Sequence, residues 1–94
     1  MSEVASERVY IDFQKLDDWR RPILSAAGTV RDLERLGIEL REGLTVAFYS
    51  DDEDDQGNPD PLLVEGTVRF DDEHRRWVAE ISWEEIRHAS DSEK

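Results

Sequence analysis

The stretch from residue 64 to residue 83, VEGTVRFDDEHRRWVAEISW, can pair with itself, and this constrains the fold more than any other feature of the chain. Folding it about the polar run at residues 72–75 brings one side of the stretch opposite the other. A shift by one residue would carry the apolar set of one strand into water, so the pattern predicts an antiparallel hairpin in one register. The predicted pairs are Asp71–Arg76, Phe70–Trp77, Val68–Ala79, Gly66–Ile81 and Val64–Trp83, with every large apolar residue except Val78 on one face.

Two further segments alternate as strands do. Residues 7–14 place Val9, Ile11 and Phe13 on one side and polar residues or tyrosine on the other, which is typical of a half-buried strand. Residues 44–49 form a second alternating run. We therefore expect both segments to join the sheet that contains the hairpin.

One short helix is predicted near residues 29–36. Thr29 can cap its first turn, and Asp32 stands at the third helical position, as in a capping box. Gly37 is a natural left-handed stop, and Ile38 can fold back on the helix. A helix of about two turns is unstable alone, so its apolar stripe must pack on the sheet.

This order of elements predicts a mainly β, α+β fold: a small antiparallel β-barrel with one short helix. A long polar loop, a tight hairpin and a helical turn, over roughly residues 43–88, resemble the SH3-like small barrels in fold pattern. Of the aromatic groove motif of SH3 domains, only Ala47-Phe48-Tyr49 is similar. We expect a single domain at residues 8–88 with disordered tails at 1–7 and 89–94. The predicted core comprises Val9, Ile11, Phe13, Val30, Leu33, Leu36, Val46, Phe48, Val64, Val68, Phe70, Trp77, Ala79 and Ile81.

Charge restricts the possible partners. The chain has 24 acids against 12 bases and a net charge of −12, so it repels nucleic-acid phosphates and anionic lipid and favours a basic protein partner. It has no Cys, hence no disulfide and no thiol nucleophile. We expect a cytoplasmic monomer or weak dimer that takes no cofactor and binds neither nucleic acid nor membrane directly.

The acids concentrate in one loop, DDEDDQGNPD at residues 51–60, which has six acids and no base. Exposed aromatics flanked by acids suit a basic segment, and Trp19 and Tyr49 are the best placed for such a role. Catalysis is not predicted, because neither histidine nor any serine stands in a context that activates it. The predicted partner-binding residues are Asp51, Asp52, Glu53, Asp54, Asp55, Asp60, Trp19 and Tyr49.

Two alternatives use the same acids. Carboxylates at phosphate-like spacing would make the chain a DNA-mimicking regulator of a DNA-binding protein. Asp52 and Asp54 also fall at the first and third positions of a calcium-loop pattern, followed by Gln56 and Gly57. The twelfth position is Leu63 instead of the bidentate Glu, so the pattern predicts weak divalent-cation binding at most.

Overall fold

The computed structural model describes residues 8–90 and shows a small curled sheet with one helix packed on it. The predicted tails at 1–7 and 89–94 lie outside the described residues, except for Ala89 and Ser90. The elements are β1 (Val9–Tyr10), α1 (Ala27–Leu36), β2 (Thr45–Ser50), β3 (Leu62–Asp71), β4 (Arg76–Ile81), a 3-10 helix (Trp83–Glu85) and β5 (Arg87–His88).

The sheet runs in the order β1-β2-β3-β4 and curls into a half-barrel. The β2–β3 and β3–β4 pairs are antiparallel, whereas β1 adds a parallel pair on the outer side of β2. The 3-10 helix turns the chain after β4, so that β5 pairs with the beginning of β3. This mainly β architecture with one short helix confirms the predicted fold class and is consistent with a small SH3-like α+β fold.

The central hairpin has the predicted register. Gly66 pairs with Ile81, Val68 with Ala79, and Phe70 with Trp77. The predicted Val64–Trp83 pair is wrong, because β4 ends at Ile81 and Trp83 enters the 3-10 helix. Val64 pairs instead with Phe48 of β2.

The irregular segment before α1 covers the free edge of β4. The amide of Ala79 donates to the Pro22 carbonyl (2.9 Å), and the amide of Leu24 donates to the Trp77 carbonyl (3.0 Å). Between these bonds, Ile23 forms an isolated bridge to Val78. Covering an edge in this way removes a row of unpaired backbone groups from the surface.

The core lies between the inner face of the sheet and α1. Its fully buried members include Val9, Ile11, Phe48 and Val68, as predicted. Val30 and Phe70 were wrongly assigned to the core, since they are 43% and 38% exposed. The buried apolar residues that were not predicted are Pro22, Leu24, Ala26, Leu63 and Val78.

The helix holds the edge strand β1 through side chains. Asp32, which is 1% exposed, accepts the amide of Tyr10 (3.0 Å), and the Thr29 hydroxyl donates to the Tyr10 carbonyl. The backbone N–H and C=O groups of Tyr10 are thereby hydrogen-bonded, although no further strand among residues 8–90 pairs with β1 on that side. The predicted capping role of Thr29 is wrong: α1 begins at Ala27 and the preceding Ala26 makes no side-chain cap. The predicted left-handed stop at Gly37 is confirmed by its φ of 68°.

Candidate functional site: an acidic cleft with aromatic walls

An open cleft of about 390 Å³ lies where the chain leaves β1 and β2. The parallel pairing of these two short strands sets the segments that follow them side by side at the same edge of the sheet. One wall comes from residues 10–14 and the other from residues 50–52. The lining residues are Tyr10, Asp12, Phe13, Gln14, Ser50, Asp51, Asp52 and Leu62, and we call this site the acidic cleft.

The electrostatic environment of the acidic cleft is negative. Burial raises the pKa of Tyr10 above its ordinary value, and the Asp12 and Asp51 carboxylates raise that pKa further. Within residues 8–90, neither Asp12 nor Asp51 forms an ion pair. These two carboxylates are therefore available to a cation from outside the chain.

Aromatic rings fix the walls of the acidic cleft. The Tyr10 ring packs edge-on against Tyr49 with their centroids 5.7 Å apart, and the Phe13 ring lies 5.3 Å from that of Trp83. Tyr49 of β2 is half-buried; burial and the nearby Asp32 carboxylate of α1 raise its pKa. The predicted site residue Tyr49 thus supports Tyr10 from behind rather than lining the cleft itself.

The acidic loop at residues 51–60 is internally hydrogen-bonded. The Asp54 carboxylate accepts the amides of Gln56 and Asn58, each at 2.9 Å, and these bonds hold its pKa below the usual range. A backbone hydrogen bond from the Asp60 amide to the Asp52 carbonyl (2.9 Å) joins the two ends of the loop. A second concavity of about 640 Å³ lies along this loop and shares Asp51 and Asp52 with the acidic cleft.

Of the six predicted acids of the loop, five are exposed: Asp51, Asp52, Glu53, Asp54 and Asp55. The Asp52 carboxylate receives a 2.7 Å contact from the imidazole of His88, which lowers the pKa of that carboxyl. Asp60 is 9% exposed and accepts the amide (3.0 Å) and the hydroxyl (2.9 Å) of Ser90, so it anchors the end of the described chain.

The predicted metal ligands Asp52 and Asp54 make separate interactions. Asp52 contacts His88, whereas Asp54 bonds to its own turn. Across residues 8–90, the group of three possible ligands whose atoms lie within 4.8 Å of one another is Asp71, Glu73 and His74 at the tip of the β3–β4 hairpin. There the Arg76 guanidinium already lies 3.3 Å from an oxygen of Asp71.

The sequence did not predict a binding role for Asp12 or Phe13. Asp12 stands on the polar side of the first alternating run, and it comes close to Asp51 only because β1 is parallel to β2. The sequence signal for this site was that polar residues follow both β1 and β2. Trp19 lies on the turn at residues 17–21 and is 77% exposed, and its role as a contact residue stays a prediction.

Comparisons of this chain with protein-family profiles, with curated proteins and with solved structures gave no match. In the part of the chain that the structure describes, no helix has the length and apolarity needed to cross a membrane.

Proposed function

We propose that this protein is a non-enzymatic interaction module, built on an SH3-like half-barrel, that binds a basic segment of a partner protein in the acidic cleft. The observation that carries the proposal is that two carboxylates without an ion pair among residues 8–90, Asp12 and Asp51, share one concave site with the Tyr10 and Phe13 rings. Carboxylates attract a Lys or Arg head group, and aromatic faces stabilise it by cation–π attraction.

The whole surface supports the same kind of partner. A net charge of −12 steers a basic protein towards the chain and repels anionic competitors. Exposed Glu53 and Asp55 lie on the adjoining loop and extend the negative surface beyond the acidic cleft. Such an interface is sensitive to salt, because exposed charges are screened.

The proposal is tested by reversing the charge of the acidic cleft. Asp12→Lys combined with Asp51→Lys should weaken capture of basic proteins from a cell lysate by at least about tenfold, because attraction becomes repulsion. Capture is measured at about 0.05 M salt with identification by mass spectrometry, and the bound proteins should leave at high salt.

The matched control is Glu34→Lys combined with Glu39→Lys. Both residues are exposed and remote in sequence from the acidic cleft, and this variant has the same net charge as the test variant. It should retain most of the captured proteins. Equal loss in both variants would show that only net charge matters, and unchanged capture by the cleft variant would contradict the proposal.

The DNA-mimic alternative is decided by the same capture. It requires that the captured partner be a DNA-binding protein and that added duplex DNA displace this chain from it. The weak-cation alternative requires a rise in melting temperature with added Ca²⁺, since a ligand selective for the native state stabilises it.

A further inference from the structure

Trp19 is the most exposed large hydrophobic residue between residues 8 and 90, with 77% of its surface accessible. A single exposed apolar side chain is ordinary in a soluble protein and indicates nothing alone. What distinguishes Trp19 is the turn that carries it, residues 17–21, which we call the Trp19 turn.

A buried carboxylate organises the Trp19 turn. The Asp17 side chain, 2% exposed, accepts the amide of Trp19 (2.9 Å) and both the amide and the Nε of Arg21 (2.8 Å each). Two backbone hydrogen bonds, each 3.0 Å long, close the turn. The Asp17 amide donates to the Arg21 carbonyl, and the Arg20 amide donates to the Asp17 carbonyl. A carboxylate is costly to bury unless it is well bonded, so this turn is rigidly specified.

The Trp19 turn is also fastened to a wall of the acidic cleft. Arg20 takes a left-handed conformation (φ 63°), and its carbonyl accepts the indole N–H of Trp83 at 3.1 Å. The Arg20 guanidinium lies 4.8 Å from the Trp83 ring, and Trp83 in turn packs on Phe13 of the acidic cleft. The backbone of the Trp19 turn is therefore tied to a wall of the site that would hold a cation.

We propose that Trp19 is the apolar anchor of the interface formed by the acidic cleft, an inference that rests on the proposed function. The occupant is a basic partner segment that places a Lys or Arg in the acidic cleft and packs an apolar side chain against the Trp19 indole. Asp18, which precedes Trp19 in the chain, is also exposed. Because the turn that carries Trp19 is already ordered, no backbone has to be ordered on binding, and tryptophan is among the residues that contribute most at interfaces.

The test uses short linear peptides of random sequence, displayed on phage and selected against the full-length protein. Selected peptides should combine Lys or Arg with a large apolar residue. Trp19→Ala should weaken their binding at least about tenfold, as for an interface hot spot. Val30→Ala, at another exposed apolar position, should leave the affinity unchanged. Binding should also shift the tryptophan emission of the wild type to shorter wavelength, and Trp19→Phe should abolish the shift.

The outcomes separate this inference from the proposed function. Basic peptides that bind wild type and Trp19→Ala equally overturn the anchor and leave the cleft proposal standing. Peptides that require Trp19 but tolerate Asp12→Lys with Asp51→Lys overturn the shared interface and the cleft proposal together. A selection that enriches no basic peptide contradicts both.

Discussion

Replacing Asp32 with Ala should lower the free energy of unfolding by about 3 kcal/mol, measured by urea denaturation. The change leaves the buried amide of Tyr10 without its acceptor and removes the partner of the Arg31 (3.2 Å) and Arg35 (3.3 Å) guanidinium groups. It also loosens β1, which supplies one wall of the acidic cleft. Loss of stability and loss of partner binding should therefore appear together.

Two controls isolate the role of the carboxylate. Asp32→Asn keeps an oxygen that can accept the Tyr10 amide, so it should cost less than Asp32→Ala. Asp18→Ala removes an exposed acid and should change the stability by no more than about 0.5 kcal/mol. An Asp32→Ala protein as stable as wild type would show that α1 does not hold β1 through this contact.

The same carboxylate contributes to the pH dependence of the stability. Burial alone would raise the pKa of Asp32, but hydrogen bonds from Arg31, Tyr10 and Arg35 hold the pKa below its usual range. A carboxyl whose folded pKa is lowered stabilises the fold above its unfolded pKa, about 3.9, and loses that contribution as the pH falls through the folded value. The free energy of unfolding of the wild type should thus fall between about pH 5 and pH 2, and that of the Asp32→Asn variant should fall less steeply.

Replacing Val68 with Asp should unfold the domain, with a loss of more than about 4 kcal/mol. Val68 is fully buried on the inner face of β3, opposite Ala79, and its amide bonds to the Leu44 carbonyl (2.8 Å). A carboxylate at this position has neither water nor a cation to compensate its burial. A small domain has a total stability of only about 5–15 kcal/mol, so little of this variant should remain folded by circular dichroism.

Val30→Asp is the matched control, because Val30 is 43% exposed on α1. It introduces the same charge in place of the same side chain and should shift the melting temperature by only a few degrees. If Val68→Asp melted like wild type, the hairpin register and the position of the core would both be contradicted.

The hairpin could be predicted from the sequence because its information is local. Alternation on both sides of residues 72–75 allows one register that keeps Val68, Phe70, Trp77 and Ile81 together. Four of the five predicted pairs have the correct partners, and the fifth fails because β4 ends at Ile81. The burial of Val78 could not be predicted in the same way. Beside Val78 at the edge of β4 lies Ile23, which is far away in the sequence.

The acidic cleft depends on contacts between distant segments, and this explains why sequence reasoning found only half of it. Asp51 was visible as part of a run of acids, whereas Asp12 and Tyr10 join it only through the parallel pairing of β1. Asp32 fits the spacing of a capping box, and only the tertiary structure reveals that it bonds to Tyr10. Asp60 likewise resembles its neighbours in the sequence but is buried against Ser90.

Amide NMR spectra of the isotope-labelled protein, titrated with a short arginine-rich peptide, would test the central claim most directly. If the acidic cleft is the binding site, the largest shifts should fall on residues 10–14 and 50–52 and should diminish at high salt. Shifts centred on the hairpin tip at residues 71–74, or spread evenly over the acidic surface, would contradict the claim that this cleft binds the basic partner.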